Sequence, residues 1–578
     1  MLFYKDRKML NFVERIAIPS IQVYYIRINK ENIQHRELGG PTMRKTLSIL
    51  LSVILMTVVL AACTNSNNSG TPSNGAQATK APEAQGEPKE GGSLIIGVTN
   101  DPVLLNPNYA GDRVSLTIDQ ALFAPLFQVN NGEKTFYLAD SLEPSEDNLT
   151  YTLKLKSGLT WHDGEKLTAD DVVFTIEKIL DETQNSLLRE NFIVGGKPVE
   201  AVKVDETTVE FKLPVVSPAF EATLVQVYPI PKHIFENEAS IEKSEKNREP
   251  IGSGPFKFKE YKTGEYLTVE RFDQYFGGKP YLDSITYRIA KDANTANLAL
   301  QNGEINVKYI DPQDVPTIEA SNKFQVLPYS EGRLAYLNFN QNSDTGLMSK
   351  PEVREAISHA LNRDELILGT YLSPEYADAA HSFVTPDGLF HTNDVTSYEY
   401  DVEKAKELIK AAGAENAKLR FISQSGNKAQ ESVGLYVQQH LKEIGLQVEL
   451  SSMDSSAYVQ KLIDPNTTDY EILMGGYIMG YDPDAYSILF TSNGNSNYSH
   501  MKNAEVDALF AAGATEGDAA KRADIYKQLQ ELIAKEAAIY PVAYTKTIVA
   551  VDNKFGGIEE AVLKPVVIFE DLSKIYVK

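Results

Sequence analysis

The residues able to do chemistry are few, and their spacing speaks against a reaction. His35, His162, His233, His359, His381, His391, His440 and His500 are dispersed and never form the close pair of an HExxH zinc helix. Neither a GxSxG nucleophile elbow nor a GxxxxGK[ST] phosphate loop occurs. Ser240 and Lys243 make an SxxK pair without the companion motifs of the enzymes that use it, and read as one face of a helix. The expectation is a protein that is not an enzyme and needs neither cofactor nor metal. What remains is the chemistry of recognition. Gly475-Gly476-Tyr477-Ile478-Met479-Gly480-Tyr481-Asp482-Pro483-Asp484 follows an apolar stretch and carries two carboxylates and two phenols. A carboxylate can take an ammonium in a charge-assisted bond, although Asp and Pro are equally turn formers. The chain holds 30 Tyr against one Trp, and tyrosine offers rigid contact area with a polar tip.

The sole cysteine, Cys63, closes a different constellation. Arg44 and Lys45 make a basic start, residues 47–60 are uncharged and apolar, and small residues precede the cysteine. This is the layout of a secretory signal. Leu60-Ala61-Ala62-Cys63 resembles a bacterial lipobox, which implies removal of residues 43–62 and diacylation of Cys63. Two acyl chains hold a protein stably on a membrane where one does not. The expected location is therefore outside the cytoplasm, anchored to the cell membrane through Cys63. Residues 1–42 precede a complete start at Met43 and read as a mis-assigned or extended N-terminus. Residues 63–92, rich in Asn, Ser, Gly, Pro and Ala, read as a flexible tether.

Charge narrows the partners. The chain carries 56 Lys+Arg and 79 Asp+Glu; 9 and 4 of these fall before residue 63, which leaves 47 against 75, a net charge of −28. Phosphate binding needs clustered cations, so nucleic acid is not expected as a partner. With its one cysteine assigned to lipid, the rest of the chain has no internal disulfide and depends on its core.

Several elements must position these residues. Ser93–Val98 reads as a strand and residues 116–129 as a helix, from apolar Leu116, Ile118, Ala121, Leu122 and Leu126. Residues 149–156 alternate as a half-buried strand, with Leu149, Tyr151, Leu153 and Leu155 on one face. Trp161 then lies in a turn, and Thr168 with Asp171 forms a capping box that opens the helix Ala169–Leu180. In the second half, Ser349 caps a helix running to Leu361, Asp401 caps one closed by Gly413, and 430–444 forms another, stopped by Gly445. Strands at 446–451, 470–474 and 548–551 alternate with helices at 504–512 and 518–537. Such alternation predicts sheets covered by helices, an α/β fold.

Residues 149–174, LTYTLKLKSGLTWHDGEKLTADDVVF, resemble the signature block of the family 5 extracellular solute-binding proteins, the receptors of oligopeptide and dipeptide ABC importers. The resemblance continues in order through Gly252-Ser253-Gly254-Pro255-Phe256, Asp292-Ala293-Asn294-Thr295 with Gly303-Glu304-Ile305, and Leu334-Ala335-Tyr336-Leu337-Asn338-Phe339-Asn340. It implies a type II periplasmic-binding-protein-like fold of two lobes with an extra domain and a cleft between the lobes. The expected limits are 91–135, 245–330 and 540–578 for lobe I, 136–244 for the extra domain and 331–539 for lobe II. Closure would be a hinged rotation of the lobes over ligand.

The family likeness also implies roles. The stretch 475–484 resembles the W-x-x-G-x-DPD segment, which in peptide receptors lends backbone around Gly476 to an extended ligand and an aspartate to its ammonium. Tyr477 stands where Trp is usual, and the short loop leaves open whether Asp482 or Asp484 reaches the amine. Tyr109, Tyr336, Tyr477 and Tyr481 are placed where the lobes face each other, and Asn338 and Asn340 on one strand face toward the cleft. Dipeptide receptors hold the ligand carboxylate with an arginine ahead of the helix that here begins near Ala429. This chain has Lys428 and Glu431 there, which argues for a longer peptide or another solute. The implied function is capture of oligopeptides by a monomer and delivery to separate permease and ATPase subunits. Binding of a non-peptide solute such as an oligosaccharide, metal complex or opine is an alternative within the family, and a secreted hydrolase one outside it.

Overall fold

Two long strands carry the architecture, Phe324–Phe339 and Ile539–Asp552, the second of them rich in β-branched and aromatic residues suited to a pleated sheet. The computed structural model describes residues 88–578 apart from Asn131. Residues 1–42, the signal-like stretch, Cys63 and the tether up to residue 87 lie outside the described residues. The sheet strands are β1 (Ser93–Val98), β2 (Phe256–Lys262), β3 (Tyr266–Arg271), β4 (Ser284–Ile289), β5 (Val307–Ile310), β6 (Phe324–Phe339), β7 (Lys418–Gln424), β8 (Gln447–Met453), β9 (Ile472–Ile478) and β10 (Ile539–Asp552). Their spatial order is β2-β3-β4-β1-β5-β10-β6-β9-β7-β8, with the short Ala377–Ala379 added on β10.

Strands β6 and β10 run antiparallel through the whole molecule, and their register slips between Ser330 and Arg333. Before the slip, residues 324–330 pair with 546–552, beside β5; after it, residues 333–338 pair with 539–545, beside β9. The first half-sheet packs a core of Leu94, Ile96, Ile285, Val307, Val549 and Phe555. The second is covered on both faces, by Val353, Val433, Phe421 and Ile472 on one side and by Phe383, Tyr486, Phe510 and Tyr526 on the other. The two lobes are thus halves of one sheet joined where β6 and β10 cross. Gly332, at φ +65°, occupies the slip in a left-handed conformation that a side chain would strain.

A separate four-stranded sheet, Ala139–Pro144, Thr150–Leu155, Thr208–Lys212 and Glu200–Lys203, packs the helix Ala169–Leu180 around a fully buried Trp161. The Thr168–Asp171 capping box is present as the spacing predicts. The helix expected over 116–129 is instead α1 (Arg113–Leu122), with Phe127–Asn130 a strand paired to Glu133–Phe136. Asp112 caps α1 earlier through Ser115 N, and Pro125 turns the preceding residue away from helical backbone. Ser349 is not the cap of its helix; Lys350 precedes Pro351–His359, and Ser349 donates to the Gly346 carbonyl. The remaining helices used below are α2 (Arg363–Tyr371), α3 (Lys428–Glu443), α4 (Ala504–Thr515) and α5 (Ala519–Lys535). No helix of the described residues is long and apolar enough to cross a membrane.

Candidate functional site

Strand β9 is paired along its whole length on one side and only at its start on the other. It pairs with β6 over its whole length, Ile472 to Ile478 against Phe339 to Arg333. On the other side β7 reaches only Ile472 and Leu473 before diverging. The next carbonyl, of Met474, is taken by Gln430 Nε2 at 3.2 Å and Tyr458 OH at 3.3 Å. From Gly475 to Ile478 no strand of the described residues covers the outer margin, which leaves main-chain donors and acceptors able to pair with another extended chain.

The two glycines of this margin are there for close approach. A Cβ on Gly475 would fall 2.7 Å from the Tyr336 ring, and one on Gly476 would fall 2.6 Å from Arg333 Nη2. One glycine therefore admits a phenol on one face of the strand, and the next admits a guanidinium on the other. Tyr336 stacks on Tyr477, with centroids 5.6 Å apart and planes 13° apart, and Tyr477 continues onto Tyr498. Burial, aided by the neighbouring phenols, pushes the Tyr477 hydroxyl far above its usual pKa, so it stays a neutral donor. Among the described residues that hydroxyl is buried without a hydrogen-bond partner.

Beyond β9, Tyr481 crosses toward the hairpin of Phe127–Asn130 and Glu133–Phe136, where a Cβ on Gly132 would meet its hydroxyl at 3.1 Å. The end of β9 thus lies where the second lobe faces the rest of the molecule. Tyr336, Gly476, Tyr477 and Tyr481 come together here; the other expected site residues do not. Asp482 is buried and bonded by both nitrogens of the Arg522 fork, Nη1 to Oδ2 at 2.8 Å and Nη2 to Oδ1 at 2.7 Å. It also accepts from Asp484 N, and Arg522 Nε donates to the Gly513 carbonyl. Its oxygens fasten the turn to α4 and α5, and its burial against Arg522 keeps it from being presented to a ligand ammonium. Asp484 accepts from Tyr526 OH at 3.0 Å, and burial, with Asp482 beside it, raises its pKa. Asp484 is thus tied to α5 through Tyr526 rather than left free for an ammonium.

Tyr109 is core rather than cleft, packed with Ile230 and Phe235 and donating to the Lys178 carbonyl. Asn338 and Asn340 bond buried backbone, Asn338 to the Tyr498 carbonyl and Asn340 to those of Thr467 and Tyr470. Both amides satisfy loops that would otherwise leave buried carbonyls unpaired.

Sequence reasoning missed a second polar centre, at the strand slip. Glu331 accepts from Arg113 Nη1 and Nη2 at 2.8 and 2.9 Å, from Thr547 Oγ1 at 2.7 Å and from Val566 N at 2.9 Å. Burial alone would raise its pKa, but the Arg113 fork and Thr547 outweigh it and hold the carboxyl below its usual value. Val566 lies at φ +70°, strained for a β-branched residue, and its carbonyl accepts from Tyr309 OH at 3.2 Å. Little in the local sequence marks Glu331: Thr547, Arg113 and Val566 lie 216, 218 and 235 positions away along the chain, and only Tyr329, at 3.4 Å, is a near neighbour. Among the described residues no three His, Cys, Asp or Glu side chains gather to hold a metal.

A two-lobed α/β molecule with an open strand margin at the lobe boundary defines a receptor of the periplasmic-binding class. The model of the bacterial extracellular solute-binding proteins, family 5 (middle), matches residues 136–498, and the chain belongs to that family. It is 32% identical over 539 residues to the oligopeptide-binding protein AppA of Bacillus subtilis (strain 168), covering 89% of this chain and 96% of that protein. Among solved structures, it is similar to the ABC transporter substrate-binding protein CtaP from Listeria monocytogenes at 51% identity and a TM-score of 0.83, covering 85% of this chain and 100% of that one. The Bacillus subtilis AppA structure in complex with a nonapeptide aligns at 29% identity and a TM-score of 0.71, again over 85% of this chain and 100% of that one.

Proposed function

We propose that this protein is the peptide receptor of an ABC importer, held outside the cell by a diacylated Cys63 and handing its cargo to separate permease and ATPase subunits without altering it. The observation that carries the reading is the uncovered margin of β9 from Gly475 to Ile478. Main-chain pairing along such a margin is indifferent to side chains, which suits a receptor for peptides of varied sequence. The kinship with AppA, whose solved complex holds a nonapeptide, supports the same ligand class and a length well beyond a dipeptide. The lobes, with limits near 91–135, 245–330 and 540–578 against 331–539, would close by rotation about the β6–β10 slip, and 136–244 would ride with the first. Mass spectrometry of ligand extracted from the purified protein, followed by calorimetry with a synthetic nonapeptide, tests this. Peptides in the extract and saturable nonapeptide binding are expected; an extract of sugars only, with no heat from any peptide, would overturn it.

A further inference from the structure

Ten arginines lie among the described residues, and eight have a carboxylate within ion-pair distance: Arg113, Arg189, Arg248, Arg271, Arg288, Arg354, Arg420 and Arg522. A ninth, Arg363, donates to the Pro541 carbonyl and lies over the Tyr540 ring. Arg333 stands apart. Among the described residues its guanidinium has neither an ion pair nor a hydrogen bond, although acids outnumber bases 79 to 56 in this chain.

Its position is beside the open margin. Arg333 is exposed, and its guanidinium lies next to Gly476, with Nη2 2.6 Å from where a Cβ on that glycine would stand. Gly476 is in the middle of the uncovered margin. Arg333 also pairs across to Ile478, the last residue of β9, and follows the Glu331 slip by two positions. The first turn of α3 closes the same corner through Gln430 to Met474, and α3 is tied to α2 by Ser432 Oγ on the Gly369 carbonyl. Among the described residues the fork is therefore unpaired, solvent-reached and beside the strand that would receive an extended chain. Five N–H donors in a planar fork match a carboxylate in two parallel bonds.

We propose that Arg333 is a specificity-determining residue that takes a carboxylate from the peptide paired along Gly475 to Ile478, either the ligand's C-terminus or an acidic side chain. This rests on the peptide reading above. It also reverses the expected polarity of recognition: the ligand is fixed by an acid group on a protein cation, and the carboxylates of Asp482 and Asp484 remain engaged with Arg522 and Tyr526.

The test uses calorimetry on the wild-type protein, Arg333→Ala and Arg333→Lys. The probes are an uncharged nonapeptide as free acid, the same peptide as C-terminal amide, and a set of amides carrying one Glu at successive positions. A charge-assisted pair is worth enough that wild type should favour a carboxylate-bearing probe over the plain amide by roughly tenfold or more. Preference for the free acid identifies the C-terminus, and preference for one Glu amide identifies a side chain; either supports the proposal if Arg333→Ala binds all probes at the level of the plain amide. Arg333→Lys should restore only part of the preference, because an ammonium lacks the fork. Equal binding of all probes by wild type, or a preference that survives in Arg333→Ala, overturns it. Failure of wild type to bind any of these peptides would instead sink the peptide reading on which it stands.

Discussion

The pair of Arg522 with Asp482 and the pair of Arg113 with Glu331 are alike in geometry, each a two-pronged fork at 2.7 to 2.9 Å, and unlike in what they join. Arg522 and Asp482 are both nearly sealed, with side chains 3% and 6% exposed, and both belong to one lobe. Glu331 is as deeply buried, but Arg113 is 39% exposed, and the partners of Glu331 come from α1, from β10 and from the segment around Val566. The first pair fixes a turn within a rigid body. The second sits where the two half-sheets meet, so its water access is tied to how the lobes are disposed. Identical chemistry ties a turn within one half-sheet in one place and joins the two half-sheets in the other, and the cation is sealed only in the first.

Removing the sealed pair should cost most. Asp482→Ala strands a buried guanidinium and should destabilise the protein by about 3–5 kcal/mol in urea unfolding. Affinity for free-amine and N-acetylated peptides should fall in equal proportion; a loss confined to free-amine peptides would restore Asp482 as a ligand anchor. Glu331→Gln should cost less, about 1–2 kcal/mol, because solvent screens the exposed Arg113. The folded pKa of Glu331 lies below its ordinary 4.5, so its ionised form stabilises the fold fully above about that pH and the contribution is lost as pH falls through the folded value. The melting-temperature gap between wild type and Glu331→Gln should therefore narrow in acid; a gap that is constant or widens would contradict the pairing. Asp484→Asn should have the smallest effect and the opposite sign. Its folded pKa is raised above 3.8, so ionised Asp484 weighs on the native state at neutral pH and not below 3.8. The Asn variant should be unchanged or more stable by up to ~1 kcal/mol at pH 7, with the difference vanishing at pH 3.

Much of the fold is readable from local pattern. The alternation through Tyr151, Leu153 and Leu155 and the Thr168–Asp171 box are both realised, because each is decided within a few residues. The helix expected over 116–129 fails at Pro125, where a continuing apolar rhythm outvoted a backbone restriction. Strand β6 runs 16 residues, longer than its apolar part suggests, because β10 pairs with it through the polar stretch around Ser330 as well. At the candidate site, order along the chain singles out Gly476, Tyr477, Tyr336 and Tyr481, and the structure places them at or near the end of β9. The fate of Asp482 is not legible in that order, since Arg522 is 40 residues distant and nothing in α5 distinguishes that arginine from a surface one. Nor does local pattern mark Arg333, since its placement beside the open margin is set by Gly476 on the neighbouring strand.

The bare flank of β9 has one more consequence. A sheet edge pairs with whatever extended backbone reaches it, including that of a second receptor, and most proteins guard such edges with charge, brevity or cover. Here the open stretch is only Gly475 to Ile478, it carries a cation on one face, and Tyr481 reaches across its approach toward Gly132. If the proposed peptide pairs along these four residues, the same stretch serves cargo and self-protection, and the ligand-free form is the one most exposed to sticking to its own kind.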